Sequence, residues 1–313
     1  MVSSRGESCK VYKNQTIGRL KISVVILTFN EGIHLQRCLD SAKSISNDIH
    51  VVDSFSTDNT SHIAKQNSVK FYQRKWENSH AKQLNWALAT LPFEGDWILR
   101  MDADEYLTDE LIEEMKIKLP HLDSDVNGVY LPLQRVFLGR HIKRGGANGV
   151  KIMRLFRPGK AYSQQKWMDE RMVVPTGSTT TFKGAFVDEN LNDISWWIAK
   201  HNQYATKEAI DLLSASFRNP DLRVQDDTLK RKTTEKVVYN KLPLFFRAFL
   251  YFFYRYFIQL GFLDGKEGFV WHFMQGWWYR TLVDVLLLEV RIKYGKDTEA
   301  IKTYFLKEHN IDF

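Results

Sequence analysis

The sequence predicts an α/β fold with a mainly parallel central sheet, and three observations predict it. Short β-branched apolar runs alternate with segments of helical periodicity over about eighty residues, the mark of successive βαβ units. Polar, chemistry-bearing residues follow the strands, where open α/β sheets bind ligands. The composition, 44% apolar and 26% charged, suits a globular core and excludes a disordered or collagen-like chain.

The elements follow in order. Residues 1–20 are polar and lack an apolar stretch, so they do not read as a secretory leader, and order is expected from about Lys21. Ile22–Leu27 (ISVVIL) reads as a strand covered on both faces. Leu35, Cys38, Leu39 and Ala42 then recur at helical spacing. Ile49–Asp53 is a second strand, after which Thr57 or Asp58 supplies the N-cap of the next helix. Val69–Gln73 is a third strand and Ala81–Ala89 a helix. Trp97–Met101 is a fourth strand running into Asp102-Ala103-Asp104. Three regions result: a polar extension over 1–20, an α/β domain over 21–240 and an aromatic helical region over 241–313.

Charge and aromatic content are both unevenly spread. The chain carries 44 Lys and Arg against 37 Asp and Glu, a net +7. Between Val126 and Met168 there is no acidic residue, while nine cations fall there, among them Lys143, Arg144, Arg154 and Arg157. Such a window attracts phosphate, and guanidinium forks suit it best. Lys143 and Arg144, beside Gly145-Gly146, read as a mobile loop open to a phosphate-bearing ligand. From Leu242 the chain turns aromatic. A spanning helix needs about 20 predominantly apolar residues. Arg247, Arg255, Asp264, Lys266 and Glu267 interrupt this run, so it reads as helices lying in a membrane interface with snorkelling cations. The competing reading is a helical cap whose rings enter the core. Cations and rings occupy different segments, so no nucleic-acid partner is expected. Cys9 and Cys38 can form neither a disulfide framework nor a Cys-based zinc site, which points to a reducing compartment.

The chemistry concentrates after the strands. Two carboxylates two residues apart, Asp102 and Asp104, can hold one hard divalent cation and leave positions for phosphate oxygens. Alone, that pattern is equally an acidic turn. Thr28-Phe29-Asn30-Glu31 follows the first strand and Asp53-Ser54-Phe55-Ser56-Thr57-Asp58 the second, polar groups that can pair with a base edge and ribose hydroxyls. Neither loop has a dinucleotide or P-loop glycine pattern, and no GxSxG is present. His80, His141, His201 and His272 show no zinc spacing.

These blocks together resemble the family 2 glycosyltransferases of the GT-A (Rossmann-like) fold. The resemblance rests on Thr28–Glu31, on Val51-Val52-Asp53-Ser54 with Ser56, Asp58 and Thr60, and on Trp97–Glu105. Phe137–Arg140, Gly145-Gly146, Arg154–Arg157 and Trp167-Met168-Asp169-Glu170 are similar to the bacterial branch that builds lipopolysaccharide cores and exopolysaccharides. The likeness covers about residues 20–215, and Gly261–Gly265 and the aromatic tail also fit that branch.

The resemblance implies inverting transfer from a UDP- or GDP-sugar to a saccharide or lipid-linked acceptor, with Mn²⁺ or Mg²⁺. It implies a nucleotide pocket lined by Thr28, Asn30 and Glu31, with Asp53 facing the base and Ser54 and Asp58 beside it. Asp104 would be the principal metal ligand, with Asp102 near the ribose or metal. Lys82, Asn85 and Arg100 would flank the same edge, unless they form a solvated face. The base would be Glu170, or else Asp169, and the protein would sit on the cytosolic face of a membrane. The alternatives are a sugar nucleotidyltransferase, and a catalytically idle nucleotide- or membrane-binding protein on the same scaffold.

Overall fold

The computed structural model describes residues 21–164, 171–217, 239–295 and 297–309. Its first half follows the predicted alternation: β1 (Ile22–Thr28), α1 (Leu35–Lys43), β2 (Asp48–Asp53), α2 (Thr60–Gln66), β3 (Lys70–Gln73), α3 (His80–Thr90) and β4 (Trp97–Asp102). These four strands pair in parallel in the order β3-β2-β1-β4. Val24, Val25 and Ile26 are fully buried, as a strand covered on both faces requires. The predicted face of α1, Leu35, Cys38, Leu39 and Ala42, is buried without exception.

Beyond β4 the sheet becomes mixed. β5 (Glu105–Leu107), α4 (Asp109–Lys118), β6 (Val126–Phe137), β7 (Arg140–Ile142) and β8 (Lys151–Phe156) come next, then β9 (Tyr162–Gln164), β10 (Arg171–Val173), β11 (Ser178–Thr181) and β12 (Phe186–Glu189). β8 inserts antiparallel between β4 and β6, and the sheet continues through β12 to β5. The parallel half arises from helical crossovers. The reversed strands arise where chain returns without one, and the acid-free window supplies β6, β7 and β8. The result is an α/β fold with a mixed, curled central sheet.

Among the described residues five α-helices follow: α5 (Ile194–Phe217), α6 (Phe246–Phe253), α7 (Gly265–His272), α8 (Tyr279–Tyr294) and α9 (Thr298–His309). α6 and α7 each continue through a π-helical segment, Tyr254–Ile258 and Phe273–Trp278. Ala205, Ala209 and Ile210 of α5 pack with Val283, Leu287 and Val290 of α8. Phe137 and Ile142 pack with Trp197 and Trp271, which joins the tail to the sheet domain. The buried Arg247 guanidinium pairs with Asp284, which also accepts the Phe245 N–H at 2.6 Å. Part of the aromatic tail is therefore a cap. The other part is not, since Phe246, Phe249, Phe253 and Phe257 are 41–53% exposed. Among the described residues no helix is long and apolar enough to cross a membrane.

The loop read as mobile is fastened. The backbone N–H groups of Lys143 and Arg144 both donate to Asp264 Oδ2, at 3.0 and 2.7 Å. Arg255 Nε donates to the Gly145 carbonyl, and the Gly145 N–H donates to the Gln259 carbonyl at 3.1 Å. Gly145 has φ +63°, and a Cβ there would lie 2.1 Å from the His272 ring, so glycine is required on two grounds. Sequence could not show this, because the fastening carboxylate is 120 residues away.

The lower edge of the sheet is joined by Asp48, which accepts from the Ser23 hydroxyl, from Lys70 Nζ at 2.7 Å and from the Glu94 N–H at 3.0 Å. Burial alone would raise this carboxyl, but the bonds from Lys70 and Ser23 outweigh it and bring it to about 2. A carboxylate held lower in the folded than in the unfolded chain stabilises above its unfolded value of about 3.9, and that stability is lost as pH falls through its folded value. Urea unfolding followed against pH should show a loss of roughly 2 kcal/mol from this group between pH 4 and 2. Asp48→Asn should remove that part of the acid dependence; an unchanged acid limb would show that Asp48 is not the group responsible.

Candidate active site

Asp102, Asp104 and the turn between them lie where β4 leaves the sheet, on one wall of a cleft of about 2140 Å³. Asp102 accepts from Arg100 at 3.0 Å through one oxygen and from Arg154 at 3.0 Å through the other. The same Arg154 nitrogen donates to Glu105 Oε1, while Glu105 Oε2 accepts the Asp102 N–H at 3.0 Å. Arg154 and Glu105 are each 4% exposed. The guanidinium also lies 5.0 Å over the Phe186 ring. Burial pushes Asp102 up, yet Arg100 and Arg154 hold it well below the usual carboxylate range. Burial dominates at Glu105 and raises it in spite of Arg154.

Asp104 is held differently. Its Oδ2 accepts from Asn190 Nδ2 at 3.1 Å, and its carbonyl accepts from the Glu189 N–H at 3.1 Å and from Arg37 at 3.3 Å. No hydrogen bond among the described residues reaches its other carboxylate oxygen. Asp188 lines the cleft beside it. Burial raises Asp188, Arg135 pulls it back, and the charges of Asp104 and Asp102 push it up again.

Among the described residues no group of three or more His, Cys, Asp and Glu side chains could hold a metal unaided. A hard cation bound with a substrate diphosphate does not require one, because one or two carboxylates suffice when phosphates and water complete the octahedron. The residues present fit that case: Asp104 offers an oxygen, and the Asp102 and Asp188 carboxylates line the same cleft beside it.

The loops after β1 and β2 form an interlocked edge. Asp53, fully buried, accepts from the Thr28 hydroxyl at 3.0 Å and from the Ser56 N–H at 2.8 Å. Asn30, at φ +56°, donates its N–H to Ser56 Oγ and accepts the Thr57 N–H, both at 2.8 Å. Asp58 accepts the Gly32 N–H at 2.8 Å and the Thr60 N–H at 3.0 Å, while the N-cap position of α2 is Asn59 and not the expected Thr57 or Asp58. Burial raises the Asp58 carboxyl, but the bonds from Thr60 and Gly32 leave it lowered. Ser54 Oγ accepts from Gln83 at 3.3 Å. The Leu191 N–H donates to His34 Nε2 at 2.9 Å, so the His34 proton sits on Nδ1, which bonds Glu31 at 2.6 Å. Glu31 thereby faces the cleft in a fixed pose.

Of the predicted residues, Glu31, Arg100, Asp102, Asp104 and Arg154 line the cleft, with Thr28, Asn30, Asp53, Ser54 and Asp58 in the adjoining loops. Arg154 lies beneath the carboxylates as their counter-ion. Arg157 is elsewhere: it lies 4.5 Å over the ring of Trp97, at the start of β4, about 16 Å of strand from Asp102. Lys82 sits on a solvated face 3.7 Å from Glu77, and Asn85 bonds both backbone groups of Ser163. Asp169 and Glu170 lie outside the described residues. Their flanks, Gln164 and Arg171, pair across β9 and β10, and Arg171 lines the cleft. Sequence reasoning missed Glu105, Asp188 and Asn190. The run Asp188-Glu189-Asn190 after an apolar pair was the available signal.

The sequence model of glycosyl transferase family 2 matches residues 23–186. An uncharacterized glycosyltransferase of Rickettsia bellii (strain RML369-C) is 25% identical over 310 residues, 93% of this chain and 95% of its own. The lipopolysaccharide core biosynthesis glycosyltransferase LpsC of Rhizobium meliloti (strain 1021) is 27% identical over 206 residues, 62% of this chain and 72% of its own. Among solved structures, glucosyl-3-phosphoglycerate synthase from Mycobacterium tuberculosis, in complex with Mn²⁺, UDP and glucosyl-3-phosphoglycerate, has 20% identity and a TM-score of 0.30. That partial likeness covers 40% of this chain and 50% of the other.

Removing Arg154 leaves two carboxylates at the cleft floor without their shared cation. Arg154→Met should lower unfolding free energy by roughly 3–5 kcal/mol in urea, and Arg154→Lys by less. A methionine variant as stable as the parent would make this arginine a substrate ligand and not a brace.

Proposed function

The chain belongs to glycosyl transferase family 2 and is a glycosyltransferase, and from that premise we propose the specific reaction. It transfers a sugar with inversion from a UDP- or GDP-sugar to a saccharide or lipid-linked acceptor in cell-surface polysaccharide synthesis. The observation that carries this reading is Asp102-Ala103-Asp104, braced at the edge of β4 between the loops of β1 and β2 and a large cleft. The name of the LpsC relative supports the polysaccharide role.

In this reading Thr28, Asn30, Glu31 and Asp53 shape the nucleotide pocket, with Ser54 and Asp58 behind them. Asp53 orders the pocket through Thr28 and Ser56 before any nucleotide arrives. Asp104, with Asp102 beside it, would hold Mn²⁺ or Mg²⁺, which supplies charge neutralisation to the departing diphosphate. Arg100 and Arg154 fix the Asp102 carboxylate, so its orientation does not depend on the ligand. Inversion requires a base on the face of the sugar opposite the diphosphate. Glu170 takes the proton from the acceptor hydroxyl, with Asp169 as the alternative. The pairing of Gln164 with Arg171 at the cleft wall supports that placement.

Attachment to the cytosolic face of a membrane completes the reading. Its support is the exposed stripe Phe246, Phe249, Phe253 and Phe257 on α6 and its continuation. Rings of this kind insert at the headgroup boundary.

Two experiments test these statements. With a panel of nucleotide-sugars and Mn²⁺, Asp104→Asn and Glu170→Gln should each lower transfer by about 10²–10⁴-fold. Full activity in both variants would refute the mechanism. The triple change Phe249→Ser, Phe253→Ser, Phe257→Ser should abolish flotation with anionic liposomes at unchanged circular dichroism. Unchanged flotation would refute the membrane role.

A further inference from the structure

The cleft does not end at the carboxylates. It continues to a wall formed by α5, α6 with its continuation, α7 and α8, where Tyr239, Tyr251, Arg255, Trp271 and Arg280 all line it. We propose that this inner half is a subsite for the phosphate of a lipid-anchored saccharide acceptor, held by Arg255, Arg280 and Tyr239. The proposal rests on the reading of the cleft as a transfer site and names its acceptor class.

Three observations converge. The first is a cation without a counter-ion. Arg255 is 9% exposed and donates Nε to the Gly145 carbonyl, yet no carboxylate among the described residues lies within ion-pair reach of it. Burial pushes its pKa down, Tyr251 beside it pulls it partly back, and the like charges of Arg135 and Arg280 lower it again. The cations around it already have partners: Arg280 pairs with Glu208, Arg247 with Asp284, and Arg135 with Asp188. A nearly buried guanidinium without a carboxylate costs free energy that a bound anion would recover.

The second is a set of donors with nothing to donate to. The Tyr239 hydroxyl and the Trp271 Nε1–H are shielded from solvent and have no hydrogen-bond partner among the described residues. Buried polar groups are paired in nearly all native structures. Trp271 can only donate and the Tyr239 hydroxyl has a proton to donate, so a partner rich in acceptors would satisfy both. The group is continuous: Arg255 lies 5.4 Å and Arg280 5.6 Å from the Tyr251 ring centre, and the Tyr239 ring is 5.9 Å from that of Tyr251.

The third concerns which substrate carries the anion. Asp104 and Asp102 stand at the β4 edge, where the donor diphosphate is placed above, so a separate oxyanion site belongs to the acceptor. Arg247, Tyr251 and Arg255 form the stripe of α6 that lines the cleft. Phe246, Phe249, Phe253 and Phe257 of the same helical stretch are exposed. The two stripes are at most one helix diameter apart, about 10–12 Å. An acceptor whose phosphate adjoins its lipid would reach the subsite while its chains stayed in the bilayer.

The test uses inorganic phosphate as probe and thermal stabilisation of the full chain as readout. Tyr239→Phe removes one hydroxyl that bonds no described residue, so the variant should fold like the parent and bind phosphate roughly tenfold more weakly. Arg255→Gln should abolish the shift. Asp104→Asn should keep it while losing stabilisation by UDP with Mn²⁺, which separates this subsite from the donor site. If no nucleotide stabilises the parent but phosphate does so through Tyr239, the reaction proposed above fails and the oxyanion site stands. Parent-like phosphate binding in Tyr239→Phe overturns the site, whatever the folding of Arg255→Gln. Flotation with phosphatidylcholine vesicles, with and without phosphatidic acid, identifies the source. Added phosphatidic acid should strengthen binding in the parent and not in Tyr239→Phe. An equal gain in both would overturn the lipid-anchored assignment.

Discussion

The carboxylate edge of β4 depends on one guanidinium. Asp102 and Glu105 are close enough to share a single nitrogen of Arg154, and at that distance two like charges in a poorly solvated floor repel strongly. With the cation between them, Asp102 stays ionised and Glu105 can receive the backbone N–H that closes the turn. The arginine comes from β8, the strand that runs against β4. The reversed strand is thus more than a departure from parallel pairing, because it delivers the counter-ion to the end of β4 where the carboxylates emerge.

The same economy governs the neighbouring loops. Asp53, Asn30 and Asp58 satisfy one another's backbone and hydroxyl groups across two loops. Such an edge keeps its shape before any ligand binds, so binding does not have to order it. Asp104 is secured from the other side by Asn190 and Arg37, so each carboxylate of the pair is positioned by a different part of the sheet.

How much of this was legible in the sequence depended on the range of the interaction. β1 to β4 and the buried face of α1 follow from local periodicity, and the boundaries lie within a residue or two of those expected. The reversed strands were not legible, since an apolar run without a helix after it does not declare its direction. Arg154 was visible as a cation in an acid-free window and was read as a phosphate ligand. Its partners lie 49 and 52 residues back, and no local pattern connects them. The tail gave an ambiguous signal for a physical reason: the same helices bury Trp271 and Phe252 on one side and expose Phe249 and Phe253 on the other.

The His272 ring lies between two glycines. A Cβ on Gly145 would fall 2.1 Å from it, and one on Gly261 2.6 Å. One of these belongs to the β7–β8 loop and the other to the tail, so the imidazole is a mould against which both segments were shaped. The C-terminal helices consequently cannot be exchanged between relatives as a separate cassette. A chimera that imports a foreign tail must import the matching loop with it, although the two segments are more than a hundred residues apart in the chain.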